Sequence, residues 1–208
     1  MKKMKTNFLK TRTNILKIAL LLCFSLTTTF CSKDDAPAPP AALAPLQDPL
    51  PGFLVASGFD HGIGSIINVN PTVFRQMGFS FTPLVNGKIT AIVLNLPAIR
   101  SENVSIYDKA TGTILKTERV EVGSPNVQTV KEIEPLTLEA NKEYVIAFTS
   151  SSWYTHFRSN NTPTIYPITV GDIKITSYCE GFVYVDIMPT IFTIKNYFSG
   201  DCSFKFQK

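Results

Sequence analysis

Gly78-Phe79-Ser80-Phe81-Thr82-Pro83-Leu84-Val85-Asn86-Gly87-Lys88-Ile89-Thr90-Ala91-Ile92-Val93-Leu94-Asn95-Leu96 is the stretch that decides the fold class. Two runs rich in aromatic and β-branched residues flank Asn86-Gly87, a pair that tolerates the positive φ of a tight turn, so the spacing predicts a hairpin. A period of two in the second arm sets Ile89, Ala91, Val93 and Asn95 on one face, and Thr90, Ile92, Leu94 and Leu96 on the other. Both faces are mostly apolar, which predicts a central, covered strand rather than an edge.

The same pattern continues downstream. Asn103–Asp108 alternates, Lys109-Ala110-Thr111-Gly112 turns, and Thr113–Val122 alternates again. Gly123-Ser124-Pro125-Asn126 and Glu139-Ala140-Asn141-Lys142 punctuate the strand-like runs 127–138 and 143–149; the latter sets Tyr144, Ile146 and Phe148 on one face. Shorter β-type segments follow at 153–158, 165–169, 173–178, 182–187, 191–194 and 203–206. Upstream, Phe53–Phe59 reads as a first strand, and nothing after residue 30 shows a helical period. Short strands divided by Gly, Asn and Pro turns predict one all-β domain over residues 52–208, an antiparallel β-sandwich of jelly-roll type.

Residues 1–30 are a targeting segment and distort the composition. Lys2, Lys3, Lys5, Lys10, Arg12 and Lys17 precede a short apolar core, Ile18–Leu26, that is too short to span a bilayer comfortably. The full chain carries +4, from 20 basic and 16 acidic residues. Six of the basic residues and none of the acidic ones lie in 1–30, so the remainder has 14 against 16, a net charge of −2. The basic balance belongs to the targeting segment and gives no reason to expect nucleic acid.

The order apolar core, then Cys31-Ser32-Lys33-Asp34-Asp35, resembles a Bacteroidetes-type lipoprotein signal, with Phe30 standing where that signal usually has a small residue. The resemblance implies cleavage after residue 30, lipidation of Cys31, and delivery by the acidic tract to the outer membrane, facing the exterior. The alternative is an uncleaved anchor or an ordinary secretory signal with Cys31 free. Residues 31–51 then form a linker; six prolines between 36 and 51 argue against a helix and for an extended tether, whether as a stalk or as an unstructured linker. Cys179 and Cys202 remain as an even pair in an oxidising compartment, and a disulfide between them would contribute roughly 3 kcal/mol. Two buried free thiols are the alternative.

The pieces Gly78–Thr82, Val85–Ile92, Val104–Asp108, Thr111–Leu115 and Leu136–Ile146 are together similar to a family of uncharacterised β-sandwich domains in exported bacterial proteins. Members often carry Trp where this chain has Tyr107, and Gly where it has Asn141. The resemblance implies the fold and a surface lipoprotein, and no activity.

Motifs for chemistry are missing. There is no G-x-S-x-G elbow, HExxH, EF-hand loop or Walker motif, and Gly62-Ile63-Gly64 lacks the third glycine of a dinucleotide fingerprint. His61, beside Asp60, and His156 are far apart in the chain. The reading is therefore a protein that is not an enzyme, with no metal and no cofactor assigned. A structural calcium held by loop acids Asp60, Asp172 and Asp201 is weighed against ordinary solvated carboxylates. The binding candidate is Ser151–Arg158, which contains the single Trp of the chain. Trp153, Tyr154, His156 and Arg158 combine flat rings with hydrogen-bond donors, the combination that recognises sugars. A period of two sets Trp153, Thr155 and Phe157 apart from Tyr154, His156 and Arg158. The alternative is that Trp153 and Phe157 simply fill the core. The expected role is a non-catalytic surface binding or adhesion module for polysaccharide, the alternative being an accessory lipoprotein that binds another envelope protein.

Overall fold

The structure, a computed structural model, describes residues 44–59, 65–68, 72–158, 160–182, 187–193 and 195–208. Residues 1–30, expected to be a targeting segment, lie outside the described residues, as do Cys31, Asp60 and His61. In chain order the elements are α1 (Pro49–Ser57), β1 (Ser65–Asn68), β2 (Arg75–Pro83), β3 (Gly87–Asn95), β4 (Arg100–Asp108), β5 (Ile114–Val122) and β6 (Thr129–Leu138). They continue with β7 (Tyr144–Ser150), β8 (Ser152–Phe157), β9 (Ile168–Val170), β10 (Ile173–Phe182), β11 (Ile191–Thr193), β12 (Tyr197–Ser199) and β13 (Asp201–Gln207).

The strands form an all-β antiparallel sandwich. One layer is the sheet β11-β10-β2-β7-β4-β5, with β9 added alongside β10. The other consists of two three-stranded sheets, β13-β3-β6 and β1-β8-β12. These two share one kinked strand, because β12 runs into β13 through Gly200, whose N–H donates to Tyr154 O at 2.9 Å and so extends the β8–β12 ladder to the kink. The core lies between the layers and is built on aromatic rings. Phe204 of β13 stands 4.6 Å from Phe81 and 6.3 Å from Phe79 of β2, and Phe198 of β12 stands 5.6 Å from Tyr178 of β10.

Gly78–Leu96 does not form a hairpin. Its two arms are β2 and β3, which do not pair with each other; β2 lies between β10 and β7, and β3 between β13 and β6. The physical reason is the doubly apolar patterning. Phe79 and Phe81 on one arm and Ile89, Ile92 and Leu94 on the other fill the same interlayer core from opposite sides. The chain therefore crosses between layers at Leu84–Asn86. Gly87 is required by close approach rather than by a positive φ, since a Cβ there would sit 2.3 Å from the Phe206 ring and 2.6 Å from Gln207 O. The reading of β3 as a central strand agrees with its burial and its two neighbours.

Two further expectations are corrected. The segment expected as a first strand is the helix α1, and two of the six prolines expected to prevent a helix, Pro49 and Pro51, sit in its first turn, where the backbone N–H would lack a partner in any case. Asp48 caps it, accepting from Leu50 N at 3.3 Å, and also accepts from Ser203 Oγ at 2.6 Å and pairs with Lys205 Nζ at 3.1 Å. Leu50, Phe53 and Leu54, at helical spacing, enter the core; Gln47 already exchanges two backbone hydrogen bonds with Phe206, both at 2.8 Å. The packed unit thus begins before residue 52.

The expected Cys179–Cys202 disulfide is also not formed, and both are buried free thiols. Cys179 lies on the outward face of the larger sheet with Tyr107, Val145 and Ala147, whereas Cys202 faces the interlayer core, so the side chains project into different environments. Burial pushes both thiols well above the ordinary range, which leaves them protonated.

Candidate functional site

Strand alternation divides the sequence's binding candidate between two environments. Trp153 is buried (3 % exposed), Thr155 is buried, and Phe157 is 45 % exposed, all on one face of β8. Tyr154 and His156, both buried, point the other way, and their polar atoms are engaged within the protein. Tyr154 Oη donates to Asn126 Oδ1, and His156 Nε2 lies 2.6 Å from Asp201 Oδ1, whose other oxygen accepts from Asn95 Nδ2 at 3.4 Å. Arg158 Nη1 donates to the carbonyls of Pro163 at 2.6 Å and Thr162 at 3.3 Å. The four candidates are not brought together, and the donors expected to reach sugar hydroxyls hold loops and strands in place.

The Trp153 face of β8 lines a cleft of about 130 Å³ between the two layers. One wall comes from β8 and β12, with Trp153, Thr155, Phe157, Tyr197 and Ser199; the other comes from β2 and β10, with Arg75, Met77, Tyr178 and Glu180. Phe157 and Tyr197 rings are 6.2 Å apart, and Tyr197 and Tyr178 meet edge to face at 5.9 Å. Thr155 and Ser199 hydroxyls are bonded at 2.8 Å, and Tyr178 Oη donates to Glu180 Oε2 at 3.4 Å. Burial raises the pKa of both Tyr178 and Tyr197, so each stays a neutral phenol able to donate. The Trp153 indole N–H is buried and has no hydrogen-bond partner among the described residues. A site this small, against roughly 300–1,000 Å³ for pockets that enclose drug-sized ligands, admits about one ring.

The sequence pointed to Trp153 and missed Arg75, Tyr178, Glu180, Tyr197 and Ser199. A period of two places Tyr178 and Glu180 on one face of β10, but nothing local shows that β10 faces β8 across the sandwich. Of the loop acids weighed for calcium, Asp60 lies outside the described residues, and the other two have partners within the protein. Asp172 takes Gln47 Nε2 at 2.5 Å and Lys208 Nζ at 3.0 Å, while Asp201 is bonded to His156. Among the described residues, no group of three or more His, Cys, Asp or Glu is arranged to hold a metal ion. Compared with known protein families and with curated proteins, the chain matches none.

Proposed function

We propose that this is a non-catalytic surface lipoprotein, anchored to the outer membrane through Cys31 and facing the exterior, that binds polysaccharide by taking one sugar ring into the Trp153 cleft. The cysteine after an apolar core, with the acidic tract behind it, supports the anchor. The observation that carries the binding reading is the cleft itself. Aromatic side chains supply faces for the C–H surface of a sugar, and Arg75, Glu180 and Ser199 supply polar ends for hydroxyls.

The chain contains one tryptophan, so intrinsic fluorescence has one source. Full-length protein in detergent micelles is titrated with a panel of neutral and acidic polysaccharides. A saturable change for at least one glycan, lost in Phe157→Ala and in Tyr197→Ala, is the expected result. Emission that no glycan alters would overturn the reading and favour the role of an accessory lipoprotein that binds another envelope protein.

A further inference from the structure

A second and larger concavity, about 220 Å³, lies on the larger sheet and involves none of the cleft residues. Its lining crosses β2, β7, β4 and β5 on the face turned away from the core. Met77, Val104, Ile106, Ile146 and Phe148 point inward, and the residues between them point out. Ala147 is one buried apolar lining residue. Gln76, itself buried, donates from Nε2 to Tyr107 Oη at 3.1 Å, and Tyr107 Oη donates to Ile187 O at 3.4 Å. Ser105 bonds Thr117 at 2.9 Å, and Phe74 adds a half-buried ring. The rest of the lining includes Asn103, Thr149 and Arg119.

The charges in this groove are asymmetric. Glu102, the one acid of the lining, has Arg100 Nε 2.6 Å away and accepts from Ser150 Oγ at 2.8 Å. Arg119, the one lining cation, is exposed; among the described residues it makes no direct ion pair or side-chain hydrogen bond, and its charge reaches Glu102 only as a longer-range attraction. Amides and hydroxyls that both donate and accept suit a polyol, which does the same. A planar guanidinium suits a carboxylate, which it can grip with two parallel bonds.

We propose that this groove is a second carbohydrate site, independent of the cleft, and that it takes an acidic sugar: a pyranose ring whose carboxylate pairs with Arg119 while Asn103, Gln76 and Thr149 meet ring hydroxyls. A phosphate-binding site would call for several cations or a helix N-terminus, and the groove has a single guanidinium. The size again corresponds to about one ring.

The test compares sugars that differ in little but the C6 carboxylate. Galacturonate against galactose, and glucuronate against glucose, are titrated calorimetrically into full-length protein in detergent micelles. At least one uronate is expected to bind about tenfold or more tighter than its neutral partner, with the preference shrinking at about 1 M salt as screening shortens its reach. Arg119→Gln abolishes the preference, and Thr149→Phe, which fills the groove, abolishes uronate binding; Asn103→Ala, a smaller change at an exposed position, weakens it. Far-UV circular dichroism verifies that each variant is folded. The uronate preference is read again in Phe157→Ala, whose cleft response is lost, and it persists there, so failure of one site is separable from failure of the other. No binding of either uronate, equal binding of acid and neutral sugar, or a preference that survives Arg119→Gln would each overturn the proposal.

Discussion

Replacing Gly200 with Ala tests whether the second layer is one kinked sheet. Gly200 has φ 95°, a conformation costly for any residue with a Cβ, by about 1–3 kcal/mol. The added Cβ would also sit 2.6 Å from Phe148 Cε1 and 3.1 Å from Met77 Cβ, both in the packed core, and overpacking of this kind costs about 1–3 kcal/mol more. The combined loss of about 2–6 kcal/mol is a large part of the roughly 5–15 kcal/mol that holds a domain together. Urea unfolding followed by Trp153 fluorescence measures it. With a slope of about 2 kcal/mol per molar, the midpoint falls by about 1–3 M at unchanged slope. Gly123→Ala is the control, since nothing lies within 4 Å of the Cβ it would add, and it leaves the midpoint level or slightly raised. A Gly200→Ala midpoint within about 0.3 M of wild type, less than 1 kcal/mol at that slope, would refute the kinked continuity of β12 and β13.

Other perturbations probe the remaining parts of the molecule. Because Cys179 and Cys202 are buried free thiols, alkylation of the native protein leaves both peptides unlabelled, denaturation without reductant labels both, and reductant does not lower the melting temperature; recovery of a peptide that links the two would contradict this. Tyr154→Phe removes a hydrogen bond to Asn126 and lowers stability by about 0.5–1.5 kcal/mol in urea titrations while leaving the fluorescence response to glycan intact, and a lost response would place Tyr154 in the site. Burial, which outweighs the hydrogen bond from Ser150 and the charges of Arg100 and Arg119, holds the Glu102 carboxyl above its ordinary 4.5. The folded state therefore binds this proton more tightly than the unfolded chain, so the contribution to stability is full below about pH 4.5 and is lost as pH rises through the raised value. Urea midpoints for wild type and Glu102→Gln, compared from about pH 4 to pH 7, differ in slope in that sense, and parallel profiles would refute it.

The fold class was legible because strand alternation and turn chemistry are local. The turn clusters at Asn126 and Asn141 appear in the structure with φ 63° at both asparagines, and β4, β5 and β7 fall close to their expected ranges. The failures share a cause, which is that a non-local partner decided the outcome. Asn86-Gly87 is written like a hairpin turn, but the cores of both arms need each other across the sandwich, so the strands separate into different layers. Pro49 and Pro51 oppose a helix in general and are harmless in its first turn, which Asp48 fixes partly by reaching β13. Tyr197–Ser199 was not anticipated because three residues carry no periodicity, and only their ladder with β8 makes them a strand.

The same reasoning explains why the binding candidate dissolved into two halves. A run of neighbours can serve one ligand where the chain is a loop, since a loop can turn successive side chains to one side. On β8 the faces alternate and both are covered, so Trp153 and Tyr154 are adjacent in the chain and chemically separated. Whatever enters beside Trp153 meets residues of β2, β10 and β12, twenty or more positions away in sequence, and never meets Tyr154 or His156. The outward groove follows the same rule. Gln76, Asn103, Arg119 and Thr149 are unremarkable alone in four separate segments, and only the order β2-β7-β4-β5 sets them side by side. In a sandwich of short strands, recognition chemistry belongs to rows that cross the strands, and those rows become visible once the pairing is known.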